Sequence, residues 1–317
     1  MRAFGRFSVA VGLIVLTQGA PALAGSMPPD FVAKLEAMGR KIVVPETNAL
    51  YAPLHAMEPY QGIKLTRDVK YGPDDRNRLD VFAAEGATGA RPVLLYVHGG
   101  GFIRGDKKSA NSPFLDNVAV WAARNGMVGV NMTYRLAPQA TWPSGPQDMG
   151  AAVKWVRDNI ASHGGDPARI YLMGSSAGAN HVAAYVAFPQ FHAAQGSGLA
   201  GAILLSGSPF DLAVFPDMVN YKQYFGEDTS KYPPLSPQPG LTKSSVPLMV
   251  VWAGLDPPSI EAESVNLSDA LCKAQKCPTK VLLKTHSHIS VANAIGTDDT
   301  ELTDQIATFV KNGKPTN

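Results

Sequence analysis

From residue 66 onward, short continuous apolar runs alternate with stretches whose apolar residues recur every three to four positions. Runs at 93–97, 127–132, 170–173, 202–205 and 247–252 read as strands, being too short and too uniformly apolar for amphipathic helices, and 280–284 reads as a further strand. Two further strands, 69–71 and 78–82, flank a turn at Gly72-Pro73-Asp74-Asp75. Between them fall helical patterns. Pro146 suits a first helical turn, and Met149, Ala152, Val153, Val156 and Ile160 follow on one face. Gly164-Gly165-Asp166-Pro167 breaks the chain before the strand at 170. Ile260, Leu267 and Leu271 mark a second helix, and 301–310 a C-terminal one.

Apolar strands separated by amphipathic helices predict an α/β fold, a mostly parallel central sheet with helices on both faces. Ligands of such sheets bind beyond the carboxyl ends of the strands, so reactive residues are expected just after strands. Residues 206–245, rich in Pro, Tyr and Phe, fit neither period and read as an insertion over the sheet edge. Residues 25–65 read as a cap-like N-terminal segment. With no internal repeat, 25–317 reads as a single domain.

The start of the chain has a different pattern. Arg2 and Arg6 precede the apolar run 7–16, and Ala22-Leu23-Ala24 supplies small residues around a cleavage point. This is the layout of a signal peptide, expected to be cut after Ala24; the run is short for a membrane span. A periplasmic or secreted protein is the expectation, with no stable membrane insertion after cleavage. Without residues 1–24 the basic and acidic residues balance at 26 each. No Lys/Arg run remains to grip phosphates, which argues against a nucleic-acid partner. The two cysteines, Cys272 and Cys277, have no metal-ligand spacing with a histidine. Export favours a disulfide between them, provided the helix ends before Pro278 and brings their Cα atoms within about 7 Å.

Candidate chemistry concentrates after two strands. Gly174-Ser175-Ser176-Ala177-Gly178 follows strand 170–173 and precedes a helical stretch, 179–187. Strand–turn–helix is the setting in which Gly-x-Ser-x-Gly forms a nucleophile elbow. Ser176 is the candidate nucleophile, because choosing Ser175 would put Met173 where the first glycine belongs. His98-Gly99-Gly100-Gly101-Phe102 follows strand 93–97, and its glycines let a backbone approach a substrate oxygen closely. The amides of Gly100, Gly101 and Ala177 are candidate oxyanion donors, each typically worth about 3 kcal/mol of barrier. His98 is expected to brace the loop.

A serine hydroxyl needs a histidine base, and the histidine needs a carboxylate to orient it. In the order Ser, acid, His, the acid is Asp256, just past strand 247–252, in preference to Asp211, Asp217, Glu261 or Glu263. For the base, chain order and strand position leave His286 and His288.

The text HGGGF (98–102), GDK (105–107), YRLAP (134–138), WVRDNIASHGGDPARI (155–170) and GSSAG (174–178) resembles the esterase and lipase branch of the α/β-hydrolase superfamily. The nearest groups are the hormone-sensitive-lipase-like and feruloyl-esterase-like (BD-FAE) ones. Weaker matches continue through LDP (255–257) and HSHIS (286–290). The resemblance implies the α/β-hydrolase fold, carboxylesterase activity, Ser176 as nucleophile, Asp256 as acid, and His288 of the His-x-His pair as base; short-chain or aromatic esters are the expected substrates. The hormone-sensitive-lipase group has aspartate where Ser175 stands and glycine where Ala179 stands, so the subfamily stays open. No metal or organic cofactor is called for. Alternatives on the same residues are an amide or formamide hydrolase and an inactive binding module. Phe102, Phe114, Tyr134, Trp142, Phe210, Phe215, Tyr221 and Tyr224 are candidates for an apolar cleft, at least half of them expected in the core.

Overall fold

The computed structural model describes residues 1, 27–192, 196–214 and 219–313. The proposed leader, Phe215 and Asp217 lie outside the described residues. Eight strands form one sheet: β1 (Ile63–Lys70), β2 (Arg78–Ala84), β3 (Arg91–Val97), β4 (Val128–Met132), β5 (Gly165–Ser175), β6 (Gly201–Leu205), β7 (Leu248–Leu255) and β8 (Thr279–Ser287). Their spatial order is β1-β2-β4-β3-β5-β6-β7-β8. β2 pairs antiparallel with β1 and β4, and every pairing from β4 across to β8 is parallel. This is the expected mostly parallel sheet.

Among the described residues ten α-helices accompany it: α1 (Pro29–Met38), α2 (Val44–Tyr51), α3 (Asp116–Arg124), α4 (Ser144–Asn159), α5 (Ala177–Ala187), α6 (Val219–Phe225), α7 (Gln238–Leu241), α8 (Pro258–Lys273), α9 (Ser290–Asn293) and α10 (Glu301–Asn312). Strand alternation divides the core between the two faces. Val93, Leu95 and Val97 of β3 pack with residues of α4, α5 and α8. Leu94 and Tyr96 point the other way, into a layer shared with α3 and α10. Among the described residues no helix is long and apolar enough to cross a membrane.

Three departures from the sequence pattern have local causes. β1 is an eight-residue strand where the pattern marks only 69–71, because its register shifts between Thr66 and Val69 and breaks the alternation. β5 starts at Gly165, inside the expected break; Gly165 pairs with Arg91 across an irregularity. α3 carries no polar face to reveal it, since residues 116–123 are all buried. The Cys272–Cys277 disulfide is present, with Cα atoms 4.0 Å apart; α8 ends at Lys273, which lets the chain fold back.

Candidate active site

Ser176 stands between β5 and α5 with φ +55° and ψ −122°, a conformation that costs a non-glycine residue on the order of 1–3 kcal/mol. The flanking glycines make the turn sterically possible. A Cβ on Gly174 would lie 2.4 Å from the carbonyl oxygen of Gly178, and one on Gly178 2.5 Å from those of Val97 and His98. The Ser176 amide donates to Leu205 O of β6 at 2.9 Å. Ala177 opens α5, so its N–H lacks an intrahelical acceptor and lies at the positive end of the helix dipole.

The glycine loop after β3 lies directly against this turn: a Cβ on Gly99 would come within 3.1 Å of Ser176 Cβ. Gly100 (φ +123°) and Gly101 (φ +62°) take backbone conformations that favour glycine. His98 holds the loop from behind. Its Nδ1 lies 2.6 Å from Gly99 O, and its ring stacks on Tyr134 at 4.3 Å. Tyr134 Oη donates to His98 O at 3.0 Å. Burial pushes the His98 pKa down to about 4 and that of His181 to about 3, so both imidazoles are neutral near pH 7. The far end of the loop is tethered by Lys107, whose Nζ lies 2.7 Å from Asp68 and 3.1 Å from the fully buried Asp80 of β2.

Asp256 follows β7 and is fully buried. One carboxylate oxygen lies 2.8 Å from His288 Nδ1. The other accepts from Ser206 Oγ at 2.7 Å and from Ala253 N–H at 2.8 Å. His288 begins the loop after β8 and is 3% exposed. His286 turns elsewhere: its Nε2 lies 3.1 Å from Asp299, and its Nδ1 3.1 Å from Ser290 Oγ. The other acid candidates have separate partners. Asp211 accepts from Ala213 N–H, Glu261 pairs with Arg40, and Glu263 accepts the amides of Phe210 and Asp211 at the base of the insertion.

Comparison with known proteins agrees with this architecture. Residues 79–198 match the BD-FAE family model. A "Probable isoprenylcysteine alpha-carbonyl methylesterase" of Oryza sativa subsp. japonica is 30% identical over 80% of this chain and 64% of its own length. "Esterase LipQ" of Mycobacterium tuberculosis is 32% identical over 61% of this chain and 47% of its own. The chain thus spans less than two thirds of either relative. Among solved structures, esterase B from Lactobacillus rhamnosis superposes with a TM-score of 0.69 at 18% identity, covering 88% of this chain and 96% of that one.

The chain has the α/β-hydrolase fold.

Within this fold, Gly99, Gly100, Gly101, Ser176, Ala177 and His288 face one cavity of about 310 Å³. All six come from the carboxyl ends of β3, β5 and β8 or the turns just after them, where the sheet rule puts ligands. A larger groove of about 900 Å³, between Arg157, Gly198, Val246 and Phe309, lies at the opposite strand ends and contains none of these groups. Of the aromatic candidates, Phe102, Phe114 and Tyr221 reach the cavity. Tyr134 and Phe210 are core; Trp142 and Tyr224 pack behind Phe102. Ser175 lies in the cavity wall beside Tyr96.

Several lining residues carry no sequence signature. Ile42, Val44 and Asn48 come from the N-terminal segment, and Ser208 and Asn220 from the insertion. Ser206, the hydroxyl donor to Asp256, sits at φ +41° just after β6. Strand position marks it, but nothing in the sequence pairs it with an acid fifty residues away.

Proposed function

We propose that this protein is a serine carboxylesterase that cleaves short-chain or aromatic carboxylic esters through an acyl-enzyme on Ser176. The observation that carries the reading is the Asp256-oriented imidazole of His288, which faces the same cavity as Ser176 and the glycine loop. In the first half-reaction Ser176 Oγ attacks the ester carbonyl and His288 Nε2 takes its proton. Asp256 holds Nδ1–H and stabilises the imidazolium. Negative charge developing on the carbonyl oxygen is met by the amides of Gly100, Gly101 and Ala177. His288 then protonates the departing alcohol. Water, activated by the same imidazole, hydrolyses the acyl-enzyme and returns Ser176.

The substrate class rests on the size and lining of the cavity. A volume of about 310 Å³ suits a small acyl group with a modest alcohol, and the walls contributed by Phe114, Ile260 and Ile289 are apolar. The names of the relatives point the same way, being those of a methylesterase and an esterase. Export is part of the proposal and is supported by the disulfide; N-terminal sequencing of the protein made in its own cell should begin at Gly25.

The test is Ser176→Ala. Hydrolysis of p-nitrophenyl butyrate and labelling by a fluorophosphonate should both vanish while the melting temperature is retained. Activity surviving in a folded Ser176→Ala variant would refute the assignment. An acyl-length series should favour two to four carbons over long chains.

A further inference from the structure

The turn that carries Asp256 leaves one carbonyl, that of Asp256 itself, without a backbone donor among the described residues. Asp256 is followed by Pro257 and Pro258, neither of which has an N–H to fasten the turn. Within the turn, Asp256 N–H reaches Ala253 O at 3.1 Å, but among the described residues no backbone amide reaches the Asp256 carbonyl. A side chain from 216 residues upstream does. Arg40 Nε donates to Asp256 O at 2.7 Å, and the same guanidinium pairs through its Nη2 with Glu261 in the first turn of α8. One planar fork therefore bridges both ends of the Pro-Pro step. Arg40 is placed there by the end of α1, where Gly39 (φ +68°) turns the chain and donates its amide to Leu35 O and Glu36 O.

The N-terminal segment holds the base loop as well. Asn293 Nδ2 donates to Asn48 Oδ1 at 2.8 Å, and His55 Nε2 lies 2.7 Å from Asn293 O. Asn293 closes α9, five residues beyond His288. The segment thus ties the acid turn, the base loop and one wall of the cavity together.

We infer that Arg40 is a positioning residue for the reaction: it fixes the Asp256 turn, and through Asp256 the orientation of the His288 imidazole. The inference rests on the esterase reading above. A displacement of about 1 Å in such a group can lower turnover by up to about 100-fold. Arg40 is partly exposed and water can replace some of its bonding, so the expected loss is nearer 10-fold. A lysine lacks the rigid two-way fork and should restore only part of the effect.

The experiment compares wild type, Arg40→Ala, Arg40→Lys and Glu261→Gln in the full protein. Active sites are counted by fluorophosphonate titration, so misfolded molecules drop out of kcat. Arg40→Ala should lose about 10-fold in kcat per titrated site with KM changed less than about 2-fold. Guanidinium chloride, added well below denaturing concentrations, should recover part of the loss. Arg40→Lys should fall between the two, and Glu261→Gln, which leaves the bond to Asp256 O in place, should lose less than Arg40→Ala. Wild-type kcat per titrated site in Arg40→Ala, or a loss seen only as fewer titratable sites with no guanidinium rescue, would overturn the inference. A wild-type protein that neither turns over esters nor labels would overturn the esterase reading itself, and the inference with it.

Discussion

Replacing Lys107 by methionine removes a buried charge from behind the glycine loop while keeping the length of the side chain. Lys107 is 7% exposed, and its two partners differ sharply. Asp68 is 61% exposed, and solvent screens that pair to well under 1 kcal/mol. Asp80 is fully buried and, among the described residues, keeps Arg67 and the Asp68 amide when Lys107 is gone. Breaking one side of a buried pair costs on the order of 3–5 kcal/mol. The remaining partners of Asp80 place Lys107→Met at the lower end, about 3 kcal/mol. At roughly 2 °C per kcal/mol for a chain of this size, the melting temperature should fall by about 6 °C. Burial alone would lower the Lys107 pKa, but its two aspartate partners outweigh that and raise it. A raised lysine contributes stability that is fully present below its unfolded pKa and lost only as pH climbs through the folded one, so calorimetry at pH 7 sees the full effect. A double-mutant cycle with Asp80→Asn isolates the pair. A coupling below about 0.5 kcal/mol would refute the claim that this ion pair anchors the loop.

Gly178→Ala would place a Cβ 2.5 Å from two carbonyl oxygens of β3 and the glycine loop. Because both contacts are backbone, the elbow must retreat, and kcat should fall about 100-fold while the protein stays folded; unchanged turnover would mean that the close approach is not needed. Glu263 is pushed up to about 7 by burial, against the opposing pull of the Phe210 and Asp211 amides. A carboxyl raised in the folded state stabilises while protonated, and that stability is lost as pH rises from about 4.5 to about 7. Glu263→Gln should therefore gain on wild type by about 3 kcal/mol across that window, and a pH-independent difference in melting temperature would count against it.

Much of the fold was readable because β3 to β7 contain continuous apolar runs and α4, α8 and α10 keep one apolar face. What escaped reading did so for lack of contrast. α3 is buried all round, so no polar stripe sets its period. β1 is interrupted by an irregularity at Thr66–Val69. For the site, glycine spacing picks out Ser176 and strand position picks out Asp256, both local signals. The residues that support them are not local: Arg40, Ser206 and Asn48 are joined to the site by tertiary contacts alone. His286 and His288 show the limit most clearly. On a continued strand they would share a face, but β8 stops at Ser287, and the turn there sends one ring to Asp299 and the other to Asp256.

The N-terminal segment divides its labour between neighbouring positions, and that matters for redesign. Ile42 and Val44 reach the cavity wall and are 48% and 39% exposed, so little core depends on them. Arg40, Asn48 and His55 are fastened to the loops behind. A combinatorial library at positions 42 and 44 alone can therefore search for new ester preferences while leaving the anchoring bonds intact. Deleting or transplanting the whole segment would scramble preference and turnover together.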